Sequence, residues 1–236
     1  LRVPLLGLRP HLPHRAGKSE HPHLGDLLAS QLRAQFQCQV DGALGVHLRG
    51  VLLVGGGGHL VRRGGREYGQ RVGVWRLFDV FEQAGIPLSV TMNAKTALER
   101  REIIEHVKAR GWELVAHNYE QGELLPSFAF DEPAERKLIT ETLRVYEQCV
   151  GKKARGWLSS SLRSTEHTPE ILAAAGLQYF CDYMNDDQPY LIHTESGPLV
   201  NIPYSIEIND FTYFHRRAMT SRDALDMLCG QFDELY

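Results

Sequence analysis

The chain has 236 residues, 43% of them hydrophobic and 23% charged, with a formal net charge of −3 and a pI near 6.4. This suits one or two folded domains and excludes a collagen-like or wholly disordered chain; mild acidity also argues against a protein built to neutralise nucleic-acid phosphates. Four cysteines without a CxxC pair indicate neither a zinc knuckle nor a disulfide scaffold, and no apolar run approaches the ~20 residues of a membrane span.

The chain reads as a soluble cytoplasmic protein with no membrane or nucleic-acid partner, yet the average conceals two regimes. Residues 1–66 carry nine Lys and Arg against three acids, a net of +6, while residues 67–236 carry a net of −9. The first segment holds twelve of the 22 glycines, six of the 11 histidines and a single aromatic, Phe36. Folded segments of that length normally carry aromatics to anchor a core. This basic Gly/His/Arg-rich stretch therefore reads as disordered, or as sequence translated out of frame. His11, His14, His21 and His23 read as a solvated arm rather than a metal site. A short helix over Asp26–Phe36 and a strand over Gly50–Val54 are the elements it offers. The glycines at 55–58 fail the dinucleotide-loop spacing, since the third position falls on Leu60 or Val61 and no helix follows.

From Glu67 the chain alternates. Tyr68–Ala84 is predicted helical, with Val72, Trp75, Leu77, Phe78 and Phe81 at three- and four-residue spacings and Gly85 closing it. Ile86–Met92 follows as a strand, Lys95–Arg110 as a helix, and Trp112–Ala116 as a strand running into His117. After a loop, Pro133–Val150 is a helix with Pro in its first turn. Ala154–Leu158 is a strand, Ser159–His167 a polar loop, and Thr168–Ala175 a helix capped by Thr168. Gln178–Asp182 and Leu199–Ile202 are strands, and Ser221–Tyr236 is a final helix. Trp75, Trp112 and Trp157 fall on apolar faces and are core candidates; His193 and His215 read as surface residues.

Alternating strands and helices imply right-handed crossovers and a parallel sheet or barrel, with the ligand site at the carboxyl ends of the strands. The residues just past successive strands are Asn93, then His117, Asn118 and Glu120, then Ser159–Arg163, then Asp182–Asp187, then Pro203–Asp210. They are polar and titratable, whereas the opposite ends are mostly helix-closing glycines.

The stretches Gly85–Thr91, Gly111–His117, Gly156–Trp157 and Ile202–Asp210 together resemble the polysaccharide deacetylase (NodB-homology) superfamily, and most of all its metal-independent allantoinase-like branch. The resemblance covers about residues 67–236. It implies an α/β fold, a distorted (β/α) barrel, here incomplete, and hydrolysis of carbon–nitrogen bonds other than peptide bonds in an amide or cyclic ureide, with a small molecule or oligosaccharide as substrate. It assigns His117, Arg163 and Glu207 to catalysis, and Asn118, Glu120, Asp182, Asp187, Tyr190, Asn209 and Asp210 to substrate binding. Asp186 belongs to the same acidic run.

Three features depart from the family pattern. The family's metal pair is a His followed four residues later by a second His; here His117 is followed at that distance by Gln121, so no cofactor is expected, with a divalent metal such as zinc on His117 as the alternative. The acidic first motif finds no match upstream of Glu67, where Asp26 and Asp41 have neither an acidic neighbour nor a fitting strand, and the terminal His would lie past Tyr236. Open strand edges invite association, which makes a homo-oligomer the expected assembly. The alternative function is a catalytically inactive barrel fragment that binds a small polar ligand or a partner protein.

Overall fold

The computed structural model describes Cys38–Gln39 and residues 68–235 apart from 205, 207 and 208. The helix expected over 26–36, the strand over 50–54 and Asp41 lie outside the described residues, as does Glu207. Seven strands form one sheet: β1 (Cys38–Gln39), β2 (Ser89–Met92), β3 (Glu113–Ala116), β4 (Gly156–Trp157), β5 (Tyr179–Phe180), β6 (Tyr190–Thr194) and β7 (Gly197–Asn201). Their order is β1-β2-β3-β4-β5-β7-β6, and every pairing is parallel except the β6–β7 hairpin. The helices are α1 (Val74–Ala84), α2 (Ala94–Glu99), α3 (Arg101–Ala109), α4 (Glu132–Val150), α5 (Thr168–Ala174) and α6 (Ser221–Leu235). The predicted α/β alternation is thus realised as a parallel-dominated sheet. Among the described residues β1 and β6 are its outer strands.

Strand alternation sorts the core into two clusters. Leu114, Ala116, Trp157, Phe180 and Leu199 pack with the helix residues Phe78, Ile103, Ile104, Val107, Ile139 and Ile171. On the other face Val115, Leu158, Tyr179, Cys181 and Ile202 form a smaller cluster. Trp157 is fully buried, and Trp75 and Trp112 pack against the larger cluster, the core positions expected of all three. The imidazole of His106 on α3 stacks on Phe78 at 4.8 Å and meets Glu82 of α1 at 2.8 Å, locking α1 against α3.

Four local expectations are corrected. The single helix over 95–110 is two helices, because Arg100 leaves the helical region at φ −131°, ψ 56° while its guanidinium donates to Gln70 at 3.3 Å. The break lets Ala94 and Ala97 of α2 and Ile103, Ile104 and Val107 of α3 all be buried. Thr168 opens α5 but does not cap it; its hydroxyl turns to Glu135 of α4. β6 was hidden by its composition: an outer strand with alternating burial and Leu191 and His193 exposed does not read as an apolar run. Finally, Asp41 is expected to have no fitting strand, yet Cys38 and Gln39 just before it pair with Val90 and Thr91.

β4 and β5 pair side by side with Gly156 opposite Tyr179, and a Cβ on Gly156 would come within 2.0 Å of the Tyr179 ring. Gly156→Ala is expected to destabilise the fold by roughly 3 kcal/mol through overpacking. Urea unfolding of Gly156→Ala and of Gly156→Ala/Tyr179→Leu checks this: the second change should restore much of the loss.

Candidate functional site

The polar residues after the strands form a connected set of hydrogen bonds. After β2, buried Asn93 donates from its amide to the backbone carbonyl of His117 after β3. His117 is fully buried and its Nδ1 lies 2.5 Å from the backbone carbonyl of Leu158, just past β4. Asn118 donates to the carbonyl of Glu123 at 2.8 Å and accepts the Ser160 N–H at 3.2 Å. After β5, Tyr183 N–H donates to the Asn201 side-chain oxygen of β7 at 3.3 Å, and the Asn201 amide returns a bond to the Tyr183 carbonyl at 3.0 Å. Each strand end is therefore tied to its neighbour by a side chain.

The Leu158 carbonyl can only accept, so Nδ1 of His117 carries a proton and the neutral ring presents a lone pair at Nε2. That Nε2 lies 3.0 Å from the side-chain oxygen Oε1 of Gln121, which also accepts the Ser160 hydroxyl at 3.4 Å. An amide serves both charge states of the ring: as placed its oxygen accepts from imidazolium, and after a half-turn its NH2 donates to neutral imidazole. His117 thus keeps a partner whether or not Nε2 holds a proton.

Asp182 is buried directly beneath the next loop. Its carboxylate accepts the Ser159 N–H at 2.7 Å and the Ser159 hydroxyl at 2.6 Å, while Ser159 accepts the Trp157 indole N–H at 2.9 Å. The indole can only donate, so the serine proton must go to Asp182, and both carboxylate oxygens act as acceptors. Burial nonetheless pushes the Asp182 carboxyl up to about 6, opposed by these bonds from Ser159 and by Ser164.

Backbone strain gathers at the same place. Among the described non-glycine residues four have positive φ, and three of them are Asn118 at 36°, Ser161 at 62° and Leu162 at 56°. Asparagine adopts this region readily, but for serine and leucine it costs on the order of 1–3 kcal/mol each, a cost tolerated chiefly at functional sites.

The structure thus joins His117, Asn118, Gln121, Ser159, Ser160 and Asp182. Glu120 is ion-paired to Lys95 at 2.6 Å beside this set. Arg163 is exposed on the loop that follows the strained turn. Asp186 and Asp187 are exposed on the β5–β6 connection, where Tyr190 donates to Asn185 at 2.6 Å. Asn209 donates to the Tyr204 hydroxyl at 2.5 Å, and Asp210 accepts the Phe211 N–H at 2.7 Å, so both brace the segment after β7. The family pattern marks position 121 only as a missing metal ligand and does not single out Ser159 or Ser160, whose signal in the sequence is position directly after a predicted strand.

For the divalent metal implied by the resemblance, these donors are one imidazole, one amide and one hydroxyl. Such neutral ligands hold zinc weakly, and among the described residues no three His, Cys, Asp or Glu side chains are grouped to hold a metal ion. The described donor set does not fit a metal centre.

No family model matches the chain. A Schizosaccharomyces pombe protein assigned as a polysaccharide deacetylase is 22% identical over an alignment of 168 positions that covers 62% of this chain and 50% of that protein. The chain therefore spans about half the length of the curated relative it matches. Among solved structures, a protein from Mycobacterium smegmatis assigned as a polysaccharide deacetylase superposes with a TM-score of 0.68 at 23% identity, over 85% of this chain and 71% of that one. A Pseudomonas aeruginosa PAO1 protein assigned to the same activity gives 0.66 at 29% identity, over 75% and 59%. An allantoinase gives 0.64 at 30% identity, over 72% and 56%. The chain has the polysaccharide deacetylase-like fold. Among the described residues, no helix is long and apolar enough to cross a membrane.

Asp182 gives the site a pH signature. Its carboxyl is raised from 3.8 to about 6 in the folded chain, so between those values the unfolded state binds fewer protons and stability falls as pH rises. The loss is complete above the folded value and amounts to roughly 3 kcal/mol. Urea unfolding from pH 4 to pH 7 should show Asp182→Asn gaining about that much relative to the parent chain across the interval. A pH-independent difference would remove the assignment.

Proposed function

We propose that this chain, carrying the polysaccharide deacetylase-like fold, hydrolyses a carbon–nitrogen bond other than a peptide bond, in an amide or a cyclic ureide, at the carboxyl ends of β3, β4 and β5. The observation that carries the reading is the buried His117, anchored through Nδ1 and paired through Nε2 with an amide that serves both its charge states. The likeness to an allantoinase and to a protein assigned as a polysaccharide deacetylase, at 30% and 29% identity, supports the same reaction class.

In this reading Nε2 of His117 takes a proton from water as the water oxygen bonds to the substrate carbonyl carbon. The Gln121 oxygen, which faces Nε2, accepts from the imidazolium that results. Arg163, with backbone N–H groups of the strained Ser159–Leu162 turn, stabilises the developing oxyanion. When the tetrahedral adduct collapses the C–N bond breaks, and the proton on Nε2 passes to the departing nitrogen. Glu120, Asp187, Tyr190, Asn209 and Asp210 are assigned to substrate contacts, with Glu207 as a further carboxylate. Asn118 and Asp182, whose polar atoms are engaged within the protein, shape the pocket.

Chitooligosaccharide, allantoin and a cyclic imide, each assayed with and without added Zn²⁺, test this. One of them should be hydrolysed, and His117→Ala should lower kcat about 10²–10⁴-fold, the contribution of a general acid–base group. Arg163→Ala should raise KM and lower kcat/KM further. Activity unchanged by His117→Ala would show that the site lies elsewhere; binding without turnover of any of the three would favour a non-catalytic fragment.

A further inference from the structure

The loop bearing Arg163 is gripped at both ends by buried carboxylates. At its start Asp182, only 4% exposed, accepts the N–H and the hydroxyl of Ser159. At its end Glu135 of α4, fully buried, accepts the Thr165 hydroxyl at 2.6 Å and the Thr168 hydroxyl at 2.5 Å. Thr165 is drawn in further, since its N–H donates to Thr168 at 2.9 Å and its hydroxyl accepts the His167 N–H at 3.0 Å. Between the two grips lie the left-handed residues Ser161 and Leu162 and then the exposed Arg163.

Among the described residues no basic side chain pairs with either carboxylate. A buried charge held only by hydrogen bonds is a poor way to add stability, because apolar packing of the same volume does as well or better. Two such charges at the two ends of one loop therefore point to control of that loop's shape. A turn with only a connecting role would place glycine at 161 and 162, where left-handed backbone is unstrained. Here the chain keeps side chains in that conformation, and the two carboxylates supply the restraint that holds them there.

We infer that Asp182 and Glu135 are positioning residues that clamp the Ser159–Thr168 loop from both ends and thereby fix where Arg163 is presented to substrate. The clamp stands on geometry alone; its bearing on catalysis rests on the proposed hydrolysis and on Arg163 meeting the substrate. Neither clamp residue touches substrate, so each should act only through the loop.

Two readouts on the full chain test it. Brief native-state trypsin digestion reports opening at the Arg163–Ser164 bond independently of any activity. Asp182→Asn and Glu135→Gln should each speed that cleavage about tenfold, the effect of losing roughly one buried hydrogen bond, while cleavage after exposed Arg144 on α4 keeps its rate. Ser159→Ala and Thr165→Val, which remove one hydroxyl from each grip, should act in the same direction and stand in for a carboxylate variant that fails to fold. In the activity arm, each clamp variant should raise KM for the hydrolysed substrate and have no further effect in an Arg163→Ala background. An unchanged rate of cleavage after Arg163 in the folded variants overturns the clamp. Additive losses with Arg163→Ala overturn its link to Arg163. If none of the three substrates is turned over by the parent chain, the proposed function fails while trypsin still decides the clamp.

Discussion

A parallel sheet leaves backbone groups unpaired wherever a strand ends before its neighbour, and here β4 and β5 each pair over only two residues. What holds their carboxyl ends in register is a ladder of side chains reaching sideways: Asn93 to the carbonyl of His117, His117 to that of Leu158, Ser159 to Asp182, and Asn201 to both polar groups of the Tyr183 backbone. Each such bond contributes on the order of 1 kcal/mol net, and those to a charged group more. Leaving any of these buried groups unpaired would be costlier than the bond itself is stabilising. The residues that tie the strand ends are therefore also those of the proposed site, and the imidazole proposed for catalysis is oriented by the same bond that ties β3 to β4.

That arrangement sets two effects against each other at Asp182. Desolvation disfavours its charge, while the Ser159 N–H and hydroxyl favour it. Desolvation dominates, as the upward displacement shows, yet the direction of the Trp157–Ser159–Asp182 chain leaves the carboxylate no donor role. Glu135 lies in the first turn of α4, where the helix N-terminus favours negative charge, and two threonine hydroxyls complete its solvation. Both carboxylates are solvated by protein dipoles in place of water. Such dipoles stay aligned only while the surrounding loop keeps its shape, which couples charge to conformation.

Much of the frame was legible in the sequence because it follows simple periodicities. Phe78 reaches the core from α1 with Trp75 and Phe81 packed against it, and the run through Val115 and Ala116 ends at His117 where β3 does. What escaped was decided by contacts distant in sequence. Arg100 interrupts a good helical pattern through a turn anchored at Gln70. Thr168 resembles an N-cap, but a glutamate 33 residues earlier takes its hydroxyl. β6 has half its side chains in solvent, so its pattern carried no apolar run. At the site, the family pattern marks His117 but reads Gln121 only as a missing ligand. Its role as amide partner shows once the ring's other nitrogen is seen to be fixed by Leu158, 41 residues away.

The two ends of the sheet solve one backbone problem differently. At the amino ends of the strands, helices close on Gly85, Gly111, Gly151 and Gly176, with φ between 66° and 84°, where a residue without Cβ takes the left-handed region freely. At the carboxyl ends the same region is occupied by Asn118, Ser161 and Leu162. Glycine at these positions would relieve the strain, but it would remove the amide of Asn118 that receives the Ser160 N–H and loosen the turn that precedes Arg163. The chain thus uses the unstrained solution where only connection is required. It keeps the strained one where side chains must project from a tight turn, and there it adds buried carboxylates to hold the turn in place. Strain and buried charge without a counter-ion are each unfavourable to stability in isolation. Their concentration at one end of one sheet is what supports placing the proposed chemistry there.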